Sequence, residues 1–379
     1  MKQKNVSLLA GVILINSLLI SGCLQSKSEV KEEKQETSSI YGDSVTDYAE
    51  KAIKESDFDK AGYYTISSGG VYKFAGDIGS ASKRYAIIVN IQSNETVVLD
   101  GANKKLYGKC TYNDKGDNNV ILCSGSGQVN IKNLTIDGDG SNAIRIGDGL
   151  KASSSVVNVK IENPAHAICR PGKSGGGGIE IGKGSMSDCK IVSGDDAIKA
   201  SEAGASAKGI NVTMQGNGSS IQFGYDTRCN GAGHKISDVD LYGNTSLDEG
   251  DLDETCDAPN YAAIGGNFAT KGISGVVTEN IKIHSSKNFR YIVKFVVFAN
   301  GEVSGLDIKA NCMTGITKHN SKGKVFHPIV IVVKGGTIKG KITLSGAGVP
   351  SGDKIGDLVK FQKSAGSNVD LTINGKKYN

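Results

Sequence analysis

Residues 193–201 read SGDDAIKAS. Two adjacent carboxylates, Asp195 and Asp196, stand between a glycine and a short apolar run, and Lys199 follows three residues after Asp196. Adjacent carboxylates suit general acid and base work. Like charge raises one pKa of such a pair, so one group keeps a proton while the other is ionised. Lys199 opposes that rise. The same residues also suit a solvated turn whose side chains cap their own backbone. The elements around them decide between the two.

Those elements repeat. NLTIDGDGSNAIRIG (133–147), NVKIENPAHAICRPG (158–172), DCKIVSGDDAIKAS (188–201) and NVTMQGNGSSIQFG (211–224) follow one pattern. Each opens with an alternating apolar strand, passes a polar turn, and ends on a small residue, an Ile and a polar residue. The strand-ending apolar positions are Ile136, Ile161, Ile191, Met214 and Leu241, separated by 25, 30, 23 and 27 residues. The Ile after each turn is Ile144, Ile168, Ile198 and Ile221. Two strands in each unit of this length predict an all-β fold, a single-chain, right-handed parallel β-helix, whose coils close their core only by stacking. A β-sandwich is the competing architecture and lacks a stacked register. ETVVLDGANKKLYG upstream, and ENIKIHS, YIVKFVVFA, SGLDIKA, HPIVIVVKGG and GKITLSG downstream, continue the pattern. The solenoid is expected over 61–379.

Stacking puts equivalent positions of successive coils about 4.8 Å apart. Asn142, His166, Asp196 and Ser219 are expected in one column, and Arg145, Cys169, Lys199 and Gln222 in another. Alternation places Arg145, Lys199 and Gln222 on the outer face, opposite the inward isoleucines. A polar row in an outer groove suits a hydroxyl-rich chain, which makes Lys199 and Gln222 candidate substrate-binding residues.

The N-terminus carries an address. Lys2 and Lys4 precede the apolar run VSLLAGVILINSLLI and then SGC. The run has the length of a signal h-region and is short for a membrane span. LISGC resembles the lipobox of bacterial lipoproteins. The resemblance implies cleavage after residue 22 and lipidation of Cys23. Residues 23–60 read as the lipidated Cys and a charged tether, too poor in apolar residues to offset the entropy of ordering. A short amphipathic piece, DSVTDYAEKAIKES, is expected to be helical at its end. The expected location is therefore the bacterial cell envelope, with the lipid as the membrane partner.

Glycine is frequent (51), proline rare (5) and tryptophan absent, as short strands joined by tight turns require. A formal net charge of +5 without interleaved basic and aromatic residues makes no case for nucleic acid. Of the eight cysteines, seven remain beside Cys23, an odd count that leaves at least one free thiol. Cys110 with Cys123, and Cys229 with Cys256, are plausible staples. No spacing matches a zinc site, and no metal or cofactor is expected.

Four segments resemble glycoside hydrolase family 49, the dextranase and isopullulanase family, and more distantly the polygalacturonases of family 28. GGGGIEI (175–181) is similar to the family's Asp-Gly-x-Glu strand, and GDDAIKA (194–200) to its paired-Asp segment with the following Lys. NGSSIQFGYDTRCN (217–230) and ISDVDLYGNT (236–245) are similar to the two segments after it. The resemblance implies inverting cleavage of an α-glucan by three aspartates. Asp196 matches the acid and Asp195 a base partner, while Gly177 stands in the place of the third. In such a mechanism one carboxylic acid protonates the leaving oxygen and another carboxylate activates a water. Glu180, three residues past Gly177, has the longer arm to reach that space. Tyr225 and Arg228 match positions near the substrate. The polygalacturonase His-Gly is replaced by Asn217-Gly218, and there is no room for the family's N-terminal sandwich.

Three functions follow. The first is a lipid-anchored glycoside hydrolase acting on a polysaccharide or oligosaccharide, α-glucan-like or pectin-like, and working as a monomer. Asp195, Asp196 and Glu180 are catalytic, and Lys199, Gln222, Tyr225 and Arg228 hold the sugar. The second is an inactive β-helix that binds glycan, in keeping with Gly177 and the absent Trp. The third is a polysaccharide lyase, with acidic residues holding Ca²⁺ and a Lys or Arg as base.

Overall fold

The computed structural model describes residues 48–109, 119–138, 142–147, 149–162, 178–194, 196–200, 204–215, 218–224, 233–243, 254, 261–284, 289–316 and 326–379. The fold is an all-β parallel solenoid. Its described strands form one sheet of fifteen and one of eleven, and the coils contribute strands to both. The smaller sheet stacks Tyr63–Ile66, Ala86–Ile91, Asn119–Gly125, Asn142–Ile146, Ile179–Glu180, Ile198–Ala200, Ile221–Phe223, Ala262–Phe268, Tyr291–Val297, Ile329–Val333 and Val359–Lys363 in chain order. The pairs that join these strands are parallel.

One column explains why this sheet forms. Ile87, Ile121, Ile144, Ile179, Ile198, Ile221, Ile264, Val293, Ile329 and Val359 pair coil upon coil. All are buried in the central core. A β-branched side chain at the same point of every coil fills the pleated interior with stiff rotamers and leaves little void. The larger sheet has its own ladder, Leu99, Ile131, Val156, Met186, Ala207 and Ile236, in register.

The long strands of the larger sheet turn a corner. Asn133, Asn158, Asp188, Asp238 and Asn280 have φ of 52°, 52°, 55°, 54° and 51°, and Gly209 has φ of 68°. Asn and Asp tolerate this left-handed conformation better than other L-residues. The ladder also bonds to itself. Asn158 Nδ2 donates to Asn133 Oδ1 at 2.9 Å, and Asn280 Nδ2 donates to Asp238 Oδ1 at 2.7 Å. This is the physical reason the repeat opens on Asn, Asp or Gly before its alternating run.

Three expectations change in detail. Strand Glu50–Ile53 pairs in parallel with Gly70–Phe74, and Ile53 and Phe58 lie in the core, so the solenoid begins before residue 61. The described end of DSVTDYAEKAIKES is this strand and a one-turn 3₁₀ helix, Glu55–Asp57, because Ile53 is buried by strand pairing. In the larger sheet, Val212 rather than Met214 pairs with Ile191 and Leu241. Residues 1–47, with Cys23, lie outside the described residues. No described helix is long and apolar enough to cross a membrane.

Candidate functional site

The paired-Asp segment connects strand Lys190–Ser193 of the larger sheet to Ile198–Ala200 of the smaller one. Stacking continues through this connection. The Gly178 amide donates to Asp196 O at 2.9 Å, and the Ala197 amide donates to Ser219 O at 3.0 Å. The approach at Gly178 is very close: a Cβ there would lie 2.0 Å from Ala197 O. The end of the GGGG run is thus a steric requirement of coil stacking.

Beside the inward isoleucines runs an outward column. Leu122, Arg145, Glu180, Lys199, Gln222, Gly265, Lys294 and Val330 follow one another in register. The expected column was Arg145, Cys169, Lys199 and Gln222. Glu180 takes the place of Cys169 because Ile179–Glu180, not residues 168–169, pairs with both Asn142–Ile146 and Ile198–Ala200. In GIEI, Ile179 and Ile181 fill two interior positions and leave the acid outside, which the single Ile168 cannot do.

Arg145, Glu180, Lys199 and Gln222 occupy four successive coils and span roughly 14 Å. Arg145, Glu180 and Lys199 alternate in charge, Gln222 is neutral, and all four are largely withdrawn from solvent. Arg145 Nε lies 3.7 Å from Glu180 Oε1, with side-chain exposures of 13% and 6%. Lys199 Nζ lies 3.3 Å from Asp196 Oδ2, with exposures of 11% and 7%. Asp196 Oδ1 also accepts from the Ser219 amide at 2.9 Å. Glu180 Oε1 is buried and has no hydrogen-bond partner among the described residues. Gln222 is buried, and its Nε2 donates to Gly224 O at 3.1 Å.

The structure thus brings together Glu180, Asp196, Lys199 and Gln222. Asp195, Gly177, His166, Cys169, Tyr225 and Arg228 lie outside the described residues. So do Cys110, Cys229 and Cys256, and with the last two the Cys229–Cys256 staple; Cys123 is a free thiol, which corrects the expected Cys110–Cys123 staple. Cys123, Cys189 and Cys312 are free and buried, and burial pushes the Cys189 thiol up to about 12 and the Cys312 thiol up to about 11.

Two parts of the site escaped sequence reasoning. Lys294 is 1% exposed, and its Nζ lies 4.8 Å from the Tyr291 ring centroid, a cation–π contact. Its signal was present: one Lys interrupts the apolar run YIVKFVVFA at the outward position. Farther along, Tyr261, Ala262, Tyr291, Val330 and Val332 form a separate apolar cluster. The Arg290 guanidinium lies 5.9 Å from both the Tyr261 and Phe326 rings. His327 Nδ1 sits 3.0 Å from Glu254 Oε2. None of these aromatic contacts has a sequence spacing that announces it.

Compared with family models, curated proteins and solved structures, the chain finds no match.

Proposed function

We propose that this chain is a glycoside hydrolase held on a bacterial envelope by a lipid on Cys23. The substrate is a polysaccharide lying along the outer face of the smaller sheet. Asp195, Asp196 and Glu180 supply the carboxylate chemistry, and Lys199 and Gln222, with Tyr225 and Arg228, hold the sugar.

One observation carries this reading. The column that holds Arg145, Glu180, Lys199 and Gln222 holds Leu122 just before them and Val330 farther on. The fold accepts apolar side chains at this position. Burying charge costs desolvation that pairing repays only in part, and apolar replacements are often as stable or more so. Charged side chains kept in consecutive middle coils, beside a turn with two aspartates, therefore point to a task other than folding. Donors and acceptors that follow one another at the coil pitch of about 4.8 Å form a polar row suited to a hydroxyl-rich chain.

The test is the full-length chain, purified in detergent, against a panel of α-glucans, pectins and other glycans. The readouts are new reducing ends and absorbance from unsaturated uronates. The hydrolase reading expects reducing ends without unsaturated product. A calcium-dependent rise in unsaturated product would make the chain a lyase. Glycan retention without either product would make it the inactive binding protein, a reading favoured by the engagement of both Asp196 oxygens within the protein.

A further inference from the structure

The two described carboxylates of the site stand in opposite circumstances. Asp196 is engaged at both oxygens, one by the Ser219 amide at 2.9 Å and the other beside the Lys199 ammonium at 3.3 Å. A carboxyl held by an amide donor and a cation is favoured in its charged form. It is poorly placed to carry a proton to a leaving group. Glu180 Oε1 is equally buried but accepts no hydrogen bond from any described residue. The Arg145 Nε at 3.7 Å is beyond hydrogen-bond reach. Lys199 faces Glu180 from the next strand.

We propose, on the hydrolase reading above, that Glu180 is the general base and Asp196 a positioning residue. A buried carboxyl oxygen without a donor is costly unless something fills the gap. A water, or a sugar hydroxyl, is the donor it lacks. In the reaction, the water oxygen bonds to the anomeric carbon while one of its protons passes to Glu180 Oε1. The bond from that carbon to the leaving oxygen breaks. The leaving oxygen takes a proton from a second carboxylic acid of the chain. Asp196 serves this step by tethering Lys199, whose cation flanks Glu180 opposite Arg145.

Position supports the assignment. Gly177 leaves no carboxylate where the resemblance implies a third aspartate. Glu180 lies three residues on, in strand Ile179–Glu180, and its outward direction is fixed by the burial of Ile179 and Ile181 on either side.

The experiment uses the full-length chain on the glycan that it cleaves best. Glu180→Ala is expected to lose about 100-fold or more in rate, the scale of general base catalysis. Azide should restore much of that rate and yield a glycosyl azide of inverted configuration, because a small anion fits the vacated space and needs no base. Glu180→Gln should lose activity equally and show no azide rescue. Asp196→Asn should lower the rate without azide rescue. An active wild type whose Glu180→Ala variant stays within about threefold in rate overturns the base alone. So does azide rescue in Asp196→Asn but not in Glu180→Ala. A wild type inert on the whole panel overturns the hydrolase reading and this assignment with it.

Discussion

Lys199 stands opposite Glu180 in the strand register, and its ammonium lies 3.3 Å from Asp196 Oδ2. One buried cation thus pairs with the paired-Asp turn from the strand next to the acid of the preceding coil. Removing one partner of a buried pair leaves an uncompensated charge and costs about 3–5 kcal/mol. Lys199→Met is therefore expected to destabilise the fold by about 3 kcal/mol, read as a lower urea midpoint at unchanged slope. Adding Asp196→Asn to Lys199→Met should recover part of the loss. A Lys199→Met midpoint equal to wild type would show that the pair contributes nothing.

Gly178 tests whether coil stacking at the site is as tight as it looks. A methyl group there meets Ala197 O at 2.0 Å, so backbone must shift. Gly178→Ala is expected to cost about 3 kcal/mol, the upper range for overpacking, and to lower the melting temperature. Gly204 is the control: a Cβ there meets nothing within 4 Å, though its φ of 79° adds some strain to any substitution. If both alanine variants melt together, the close approach at Gly178 is wrong.

His234 predicts a pH dependence. Its ring is fully buried, 6.2 Å from the Phe223 ring, and neither ring nitrogen has a hydrogen-bond partner among the described residues. Burial lowers its pKa from 6.5 to about 4. Above pH 6.5 the ring is neutral in both folded and unfolded chains, and its contribution to stability is complete. As pH falls from 6.5 to 4, the unfolded chain takes up a proton that the folded chain refuses, so stability drops. The full loss is on the order of 3 kcal/mol. Denaturation midpoints measured across this range should fall for wild type and fall less for His234→Leu. Parallel curves for the two would refute the assignment.

Cys23 carries the proposed anchor. Cys23→Ser should move the protein from the detergent phase to the aqueous phase on phase partitioning. Unchanged partitioning of the variant would mean that the membrane association, if any, has another source.

The β-helix was legible because its cause is local and periodic. An Ile recurring at the same point after each turn, and an Asn or Asp opening each alternating run, are positions that interior packing and the left-handed corner demand of single residues. Arg145, Lys199 and Gln222 could be placed on one outer face from that rhythm alone. What the sequence could not settle was which segment forms each coil. AICRP and GIEI both offer an Ile after a turn, and only the alternation of Ile179 and Ile181 across a buried strand fixes Glu180 between Arg145 and Lys199. Lys294 and the Arg290 aromatic contacts were hidden for the same reason. A residue's neighbours in a solenoid lie one coil away, and coil lengths vary with turns whose lengths no local preference sets. Residue type and direction were written in the sequence. Register, and with it every pairwise contact at the site, was decided only when the coils stacked.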